Sequence, residues 1–366
     1  EDMIKLLAEG EYEPARSIEE LAKNRDILDL QPDGTFNIKH IKLNMMHLFH
    51  TIRIQNPFMV MANELEPLTR IMRLVNIRAN QDLDTLQRDT ARALYAEDVQ
   101  QYAVDHAGSL NALSKDRSFN APYLLNHPNS RLGVVLTHGF LASPGETRHL
   151  ADYLFQQGYT VYGVRLKGHG TSPQDMSIAT WEQWYASVLR GIATLRQTCS
   201  SISLVGFSTG GTLSLFAASE LGHRIHQVVA INSPCHLKYI KARLAPAVHA
   251  WNGFLKSFKI ESGRLDYVIE QCTYPDTNYD HVYLNALYQL DQLMRHTVSR
   301  LDQIKSETHI LYSRQDPTVN PKSSFKLFSR IGSPHKFIEP LDFERHVIIR
   351  GENCNAAFRA ITACLE

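Results

Sequence analysis

Three side chains in this 366-residue sequence have the types and chain order that nucleophilic acyl transfer needs. Ser208 lies in Gly206-Phe207-Ser208-Thr209-Gly210, a G-x-S-x-G motif. An alternating apolar run at 201–205 reads as a strand before it, and residues from 212 onward read as a helix after it. Strand, tight turn and helix together make a nucleophile elbow. The serine sits at the strained tip of such a turn, and glycines flank it because side chains would collide where strand and helix meet. A serine hydroxyl is a weak nucleophile and needs a base that a third group orients. His346, in Asp342-Phe343-Glu344-Arg345-His346-Val347, is the candidate base. Asp316, in Arg314-Gln315-Asp316-Pro317, is the candidate orienting carboxylate. Each follows a predicted strand, so each leaves the sheet at the edge that carries Ser208, in the order Ser, Asp, His. Asp342 is a rival orienting group but lies very close in sequence to His346. After the strand at 227–231 stands Ser233-Pro234-Cys235-His236, with no carboxylate.

A tetrahedral oxyanion needs backbone donors. The Thr209 amide, next to the nucleophile, is one expected donor. The second is expected from His138-Gly139-Phe140-Leu141-Ala142-Ser143-Pro144, which follows the apolar run at 133–137. Gly139 lets that backbone approach closely, the Phe140 amide is the predicted donor, and Leu141 is the alternative. His138 precedes the nucleophile in the chain and is read as holding the loop. Lys167-Gly168-His169-Gly170-Thr171-Ser172-Pro173 lacks the spacing of a phosphate-binding P-loop and is read as a structural loop bordering the site.

These loops need a frame. From about residue 118 strands at 133–137, 159–164, 201–205, 227–231, 308–312 and 336–338 alternate with helices at 147–157, 181–197, 212–222 and 353–365. That alternation predicts a mostly parallel sheet flanked by helices on both faces. It stops between 233 and 306, an insert too long for a plain connection and expected to form a small helical cap. Trp251, Phe254, Leu255 and Phe258 cluster there and, with Leu141, are candidates to surround an acyl chain; packing the cap onto the core would use them equally well. A second cap helix is expected over 282–297.

Residues 1–117 read as an additional, mostly helical N-terminal region of unknown role, with no strand-rich stretch. Ser17 to Glu20 resembles a capping box, and Gln31-Pro32-Asp33-Gly34 is a turn signal. Helical stripes are expected over 38–56, 65–75 and 83–104. His40, His47 and His50 have no carboxylate or cysteine nearby at a ligand spacing, so they read as the edge of an apolar face rather than a metal site. Met45, Met46, Met59 and Met61 read as adaptable packing. Covering an apolar surface, a subunit interface or a membrane surface is the more specific role these helices could have.

Lys plus Arg and Asp plus Glu balance at 38 each, so nothing global argues for nucleic acid or an anionic surface. The five cysteines, an odd number without a C-x-x-C pair, read as isolated thiols of a reducing, cytoplasmic compartment. No apolar run reaches the length of a transmembrane segment, and no signal peptide opens the chain. The first residue is Glu1 rather than Met, which leaves room for an upstream segment. The chemistry described needs no metal or organic cofactor.

His138-Gly139-Phe140 with Ser143-Pro144, Gly168-His169-Gly170-Thr171-Ser172-Pro173, Thr180-Trp181-Glu182-Gln183-Trp184, Gly206-Phe207-Ser208-Thr209-Gly210-Gly211, Asp316 and His346-Val347 together resemble the α/β-hydrolase superfamily. More narrowly, the set is similar to the bacterial carboxylesterase and monoacylglycerol-lipase group, over about residues 118–366. The resemblance implies an α/β-hydrolase catalytic domain and a Ser208–Asp316–His346 triad. It also implies a cap shaping an acyl pocket and a small-molecule acyl ester as substrate. A carboxylesterase on short-to-medium chains is the leading expectation. Monoacylglycerol lipase or lysophospholipase is the alternative, and a catalytically inactive binding module is the alternative of another class. Two departures stand out: Arg345 precedes His346 where the group often has Gly or Ser, and residues 1–117 lie outside the common pattern.

Overall fold

A computed structural model of the chain describes residues 2–9, 13–24, 28–31, 36–38, 77, 81–128, 130–236 and 266–366. The chain divides into two compact units, Glu9–Asp89 and Glu1–Ala8 with Thr90–Glu366. Helix α1 (Asp2–Glu9) falls almost wholly in the larger unit. The smaller unit contains α2 (Glu13–Asn24) and an antiparallel pair, β1 (Leu28–Leu30) and β2 (Phe36–Ile38), with Leu28 opposite Ile38. This pair adds a short hairpin to a region read from the sequence as mostly helical. Strands of three residues are too short to show an alternating pattern, and only the turn signal between them marked the place. The helices expected over 38–56 and 65–75 lie outside the described residues.

Helix α3 (Leu83–Gly108) crosses the division in sequence. It is followed by α4 (Arg117–Asn120), β3 (Tyr123–Leu125), β4 (Leu132–Thr137), α5 (Arg148–Gln156), β5 (Thr160–Val164) and α6 (Pro173–Ile178). Next come α7 (Trp181–Arg196), β6 (Ser201–Phe207), α8 (Thr209–Leu221) and β7 (Gln227–Ile231). The insert ends with α9 (Leu284–Arg300), and beyond it lie β10 (Glu307–Ser313), α10 (Lys322–Arg330), β11 (Lys336–Leu341) and α11 (Cys354–Leu365). The described part of the insert also contains a hairpin, β8 (Tyr267–Ile269) against β9 (His281–Tyr283), so it is not wholly helical.

The seven-stranded sheet runs β11-β10-β7-β6-β4-β5-β3. Every neighbouring pair is parallel except β3 with β5. Central strands are buried on both faces, which is why they read as unbroken apolar runs. Within β4, Val135 joins one core with Trp184, Val188 and Ile192 of α7, while Val134 and Leu136 join the other with Leu150 and Leu154 of α5 and Ile361 of α11. The alternation of side chains along a strand thus sends one sequence run into two helical layers. Thr180 starts α7 with a capping box, its hydroxyl accepting the Gln183 amide and the Gln183 side chain accepting the Thr180 amide. This frame is the α/β-hydrolase fold.

Candidate active site

Strand β6 delivers Ser208 at the head of α8 with φ 53° and ψ −117°. A non-glycine residue in that region is strained and persists only when its surroundings over-determine it. Here the Ser208 amide donates to the Ile231 carbonyl of β7 at 2.7 Å, and the Ser208 carbonyl accepts the Gly211 and Thr212 amides at 3.0 and 3.2 Å. The flanking glycines are needed for space: a Cβ at Gly206 would stand 2.2 Å from the Gly210 carbonyl carbon and oxygen, and one at Gly210 would stand 2.2 Å from the Thr137 carbonyl oxygen. The tight strand-to-helix approach read from the sequence is present.

Ser208 Oγ lies 3.0 Å from His346 Nε2, and His346 Nδ1 lies 2.7 Å from Asp316 Oδ2. Asp316 is nearly fully buried, and its Oδ1 accepts the Thr318 and Val319 amides at 2.7 and 2.8 Å. A carboxylate accepts and does not donate, so Nδ1 carries the imidazole proton and Nε2 is left to accept from the serine hydroxyl. The three residues proposed from order and spacing therefore form one continuous hydrogen-bonded line. Asp342 makes no such bond with His346 among those described.

A fourth residue, absent from the sequence reading, locks this arrangement. Asn232 directly follows β7, is buried, and has φ 47°, a region that asparagine tolerates better than most residues. Its Nδ2 donates to the His346 carbonyl at 2.7 Å and to Ser313 Oγ at 2.9 Å, and its Oδ1 accepts the Ser313 amide at 2.7 Å. The only sequence signal was its place at a strand end, at the sheet edge that carries Ser208. Arg345, the departure beside the histidine, also has a structural use: its guanidinium donates to the carbonyls of Val347 (3.0 Å), Arg350 (3.1 Å) and Glu352 and so ties the loop that follows His346.

Thr209 occupies the first position of α8, where an amide has no partner within the helix. Opposite it, the loop after β4 is pinned on both sides of Phe140. The Gly139 amide donates to Glu146 Oε2 at 2.8 Å, and the Gly139 carbonyl accepts the Ala142 amide at 3.3 Å. Leu141, at φ 63°, has its carbonyl held by the Tyr279 amide at 2.9 Å. His138 is fully buried, with Nδ1 2.9 Å from the Gly139 carbonyl and Nε2 3.3 Å from the Leu166 amide. Burial lowers its pKa to about 4, so the ring is neutral near pH 7 and braces the loop, as expected from its position. The Lys167–Pro173 loop borders the site: Tyr279 Oη donates to the Gly168 carbonyl at 3.1 Å and accepts the Thr171 amide at 2.8 Å.

Ser208, Thr209, His346, Phe140 and Leu141 open onto one cavity of about 250 Å³. Val282, Leu287, Leu290 and Val319 complete an apolar wall, and Glu270 and His236 add polar groups. Of the residues proposed to surround a substrate, Leu141 is placed in this wall; Trp251, Phe254, Leu255 and Phe258 lie outside the described residues. Leu287 and Leu290 were discoverable as an i, i+3 apolar pair on the predicted second cap helix. Among the described residues no group of three or more metal-ligating side chains occurs, and no helix is long and apolar enough to cross a membrane. The five cysteines form no disulfide.

Comparison with known proteins fits this geometry. The chain is 35% identical over 222 residues to a thermostable monoacylglycerol lipase of Bacillus sp. (strain H-257), covering 60% of this chain and 84% of that protein. It is 26% identical over 218 residues to a carboxylesterase of Bacillus subtilis (strain 168), covering 59% and 84%. Among solved structures, one from work on LipS and LipT, two metagenome-derived lipolytic enzymes, aligns with a TM-score of 0.59 at 24% identity, covering 67% of this chain and 96% of that one. The Paleococcus ferrophilus monoacylglycerol lipase aligns with a TM-score of 0.55 at 19% identity, covering 66% and 96%. These two likenesses are likenesses of fold. The family described as "Serine aminopeptidase, S33" matches residues 128–353, more than half of the chain. With Phe140, Ser208, Asp316 and His346 all inside the matched stretch, this chain belongs to the serine aminopeptidase S33 family of α/β-hydrolases.

Proposed function

We propose that this carboxylic ester hydrolase works through a Ser208–His346–Asp316 triad and an acyl-enzyme intermediate. His346 Nε2 takes the proton of Ser208 Oγ as that oxygen attacks the ester carbonyl carbon. The Thr209 and Phe140 amides stabilise the tetrahedral oxyanion. The intermediate collapses as His346 returns the proton to the leaving alcohol. Water, deprotonated by the same nitrogen, then attacks the acyl-serine and releases the acid and free Ser208. The observation that carries this reading is the unbroken Ser208–His346–Asp316 line of 3.0 and 2.7 Å at a strained elbow. Residues 118–366 are the catalytic domain in this reading, and 233–306 its cap.

The apolar wall of Leu141, Val282, Leu287 and Leu290 suits an acyl chain. The cavity of about 250 Å³ has room for a short-to-medium acyl chain. A second reading, a monoacylglycerol lipase, draws on the 35% identical relative and on Glu270, an exposed carboxylate at the cavity that can accept hydrogen bonds from a polyol. Both relatives are named as ester hydrolases whereas the family bears a peptidase's name, so aminoacyl p-nitroanilides belong beside the esters in an assay.

Ser208→Ala is expected to lower turnover of p-nitrophenyl esters by about 10⁴- to 10⁶-fold. Normal turnover by that variant rejects the mechanism, and failure of a fluorophosphonate to label Ser208 favours an inactive binding module. A hydrolysis series over acyl length, with monoacylglycerols included, separates the two substrate readings.

A further inference from the structure

Glu146 is a buried acid outside the triad. It is 1% exposed and lies in the single 3₁₀ turn Pro144–Thr147 that leads from the oxyanion loop into α5. A carboxyl group in such a place loses its hydration, and an apolar side chain would fill the space at less cost. What the carboxyl adds is an acceptor. Its Oε2 takes the Gly139 amide at 2.8 Å. Its other polar neighbours are Asn278, at the base of the cap, and Arg350, on the loop that follows His346. Arg350 forms its own ion pair with Asp276 at 2.8 Å and donates to Thr277 Oγ1 at 2.8 Å. Glu146 therefore stands where the oxyanion loop, the cap base and the histidine loop meet.

Gly139 has no Cβ, so sterics restrict its backbone torsions less than those of other residues and its hydrogen bonds must hold them. The peptide on its C-terminal side carries the Phe140 N–H. That peptide is held at the Gly139 carbonyl by His138 Nδ1 and the Ala142 amide. The peptide on its N-terminal side has its N–H on Glu146. Release of either anchor lets the glycine turn and swings the Phe140 N–H away from the developing charge. Oxyanion stabilisation depends on donors fixed in advance, so such a swing costs rate more than substrate affinity.

We infer that Glu146 is a positioning residue of the oxyanion hole, its carboxyl group pinning the Gly139 amide and thereby aiming the Phe140 N–H. This rests on the reading of Ser208 as nucleophile and Phe140 as donor. The test is steady-state hydrolysis of a p-nitrophenyl ester, together with inhibition by an alkyl boronic acid, whose tetrahedral adduct on Ser208 directs an oxygen into the hole. Glu146→Leu removes the acceptor and keeps the bulk; it is expected to lower kcat about 10- to 100-fold, less than outright loss of a donor. KM should stay within about threefold, and the boronic acid should weaken by the same factor as kcat/KM. Glu146→Gln keeps an oxygen for the Gly139 amide and should recover activity to within about threefold of the parent. Glu146→Asp keeps the carboxyl group but withdraws the acceptor, so it should resemble Leu and serves if the Leu variant does not fold. Undiminished kcat in the Leu or Asp variant, a loss confined to KM, or a Gln variant as impaired as Leu overturns the inference. Ser208→Ala separates the two levels. If it retains turnover, the triad reading fails; if the parent depends on Ser208 while the Glu146 variants are unaffected, only the role of Glu146 fails.

Discussion

Asn232 holds His346 by its backbone: from the end of β7, its side-chain amide donates to the His346 carbonyl at 2.7 Å while gripping Ser313 at the end of β10. The loop that carries His346 and the strand that leads to Asp316 are thus joined through one buried side chain. Asn232→Ala removes all three bonds and places alanine at φ 47°. Unpairing buried groups and straining the backbone should together cost about 2–4 kcal/mol. Thermal unfolding measures that cost. Kinetics should show a fall of about tenfold in kcat with KM little changed, because the loss is one of alignment.

Asp316→Asn tests the tautomer argument. Its oxygen would remain on the Thr318 and Val319 amides, which turns the NH₂ group toward His346 Nδ1. The imidazole proton would then move to Nε2, where it cannot accept from Ser208. The expected result is a folded protein with kcat down about 10⁴-fold, read from unfolding and ester turnover on the same preparation.

Asp105 of α3 pairs with Arg165 and Lys167, the latter at 2.6 Å, and the Asp105 and Arg165 side chains are each 6% exposed. About one turn earlier in α3, Tyr102 Oη donates to the Gly170 carbonyl at 2.9 Å. Residues from the N-terminal third thereby brace the loop that borders the site. Asp105→Ala leaves a buried guanidinium uncompensated and should destabilise the protein by about 3–5 kcal/mol. Burial pushes the Asp105 carboxyl up, but hydrogen bonds from Lys167 and Arg165 outweigh it and hold the group below the ordinary carboxylate value. Its contribution is therefore present above pH 3.8 and lost as the pH falls through the lower native value. A denaturation series in acid should show the gap between parent and variant closing only there. Removal of residues 1–110 deletes the same carboxylate and should destabilise the remainder in the same way.

Glu146 has the opposite sign. Burial raises its pKa from 4.5 to about 7, against the lowering effects of the Gly139 amide, Arg350 and Asn278. Between those values the native state binds more protons than the unfolded chain, so this group makes stability fall as the pH rises from 4.5 to about 7. Glu146→Gln cannot ionise. Its melting temperature should gain on the parent across that window and hold a constant lead above it, measured by thermal unfolding at half-unit steps of pH.

Much of the frame was legible because its signals are local. Buried parallel strands read as unbroken apolar runs, and the central elements from β4 to β7 lie within a few residues of their expected bounds. Strand β3 and the hairpins β1–β2 and β8–β9 were not legible. Each has three-residue strands, too short for a period of two to stand out, and each exists because a partner strand supplies its hydrogen bonds.

By itself the sequence determined the chemistry on offer: a serine between glycines at a strand-to-helix turn, an acid and a histidine after later strands, and a glycine-led loop after an earlier one. Those are properties of residue type and order, and order fixes which loops share an edge of a parallel sheet. Only the tertiary structure decided how the groups are held. Asn232 grips His346 across 114 residues, and Arg345 turns back on its own loop. Tyr279 ties the cap base to Leu141, and Glu146 meets the Gly139 amide in the core. Such bonds join polar groups that are unremarkable where they stand in the chain. They acquire a role only when folding removes water and leaves each group protein partners alone to satisfy it.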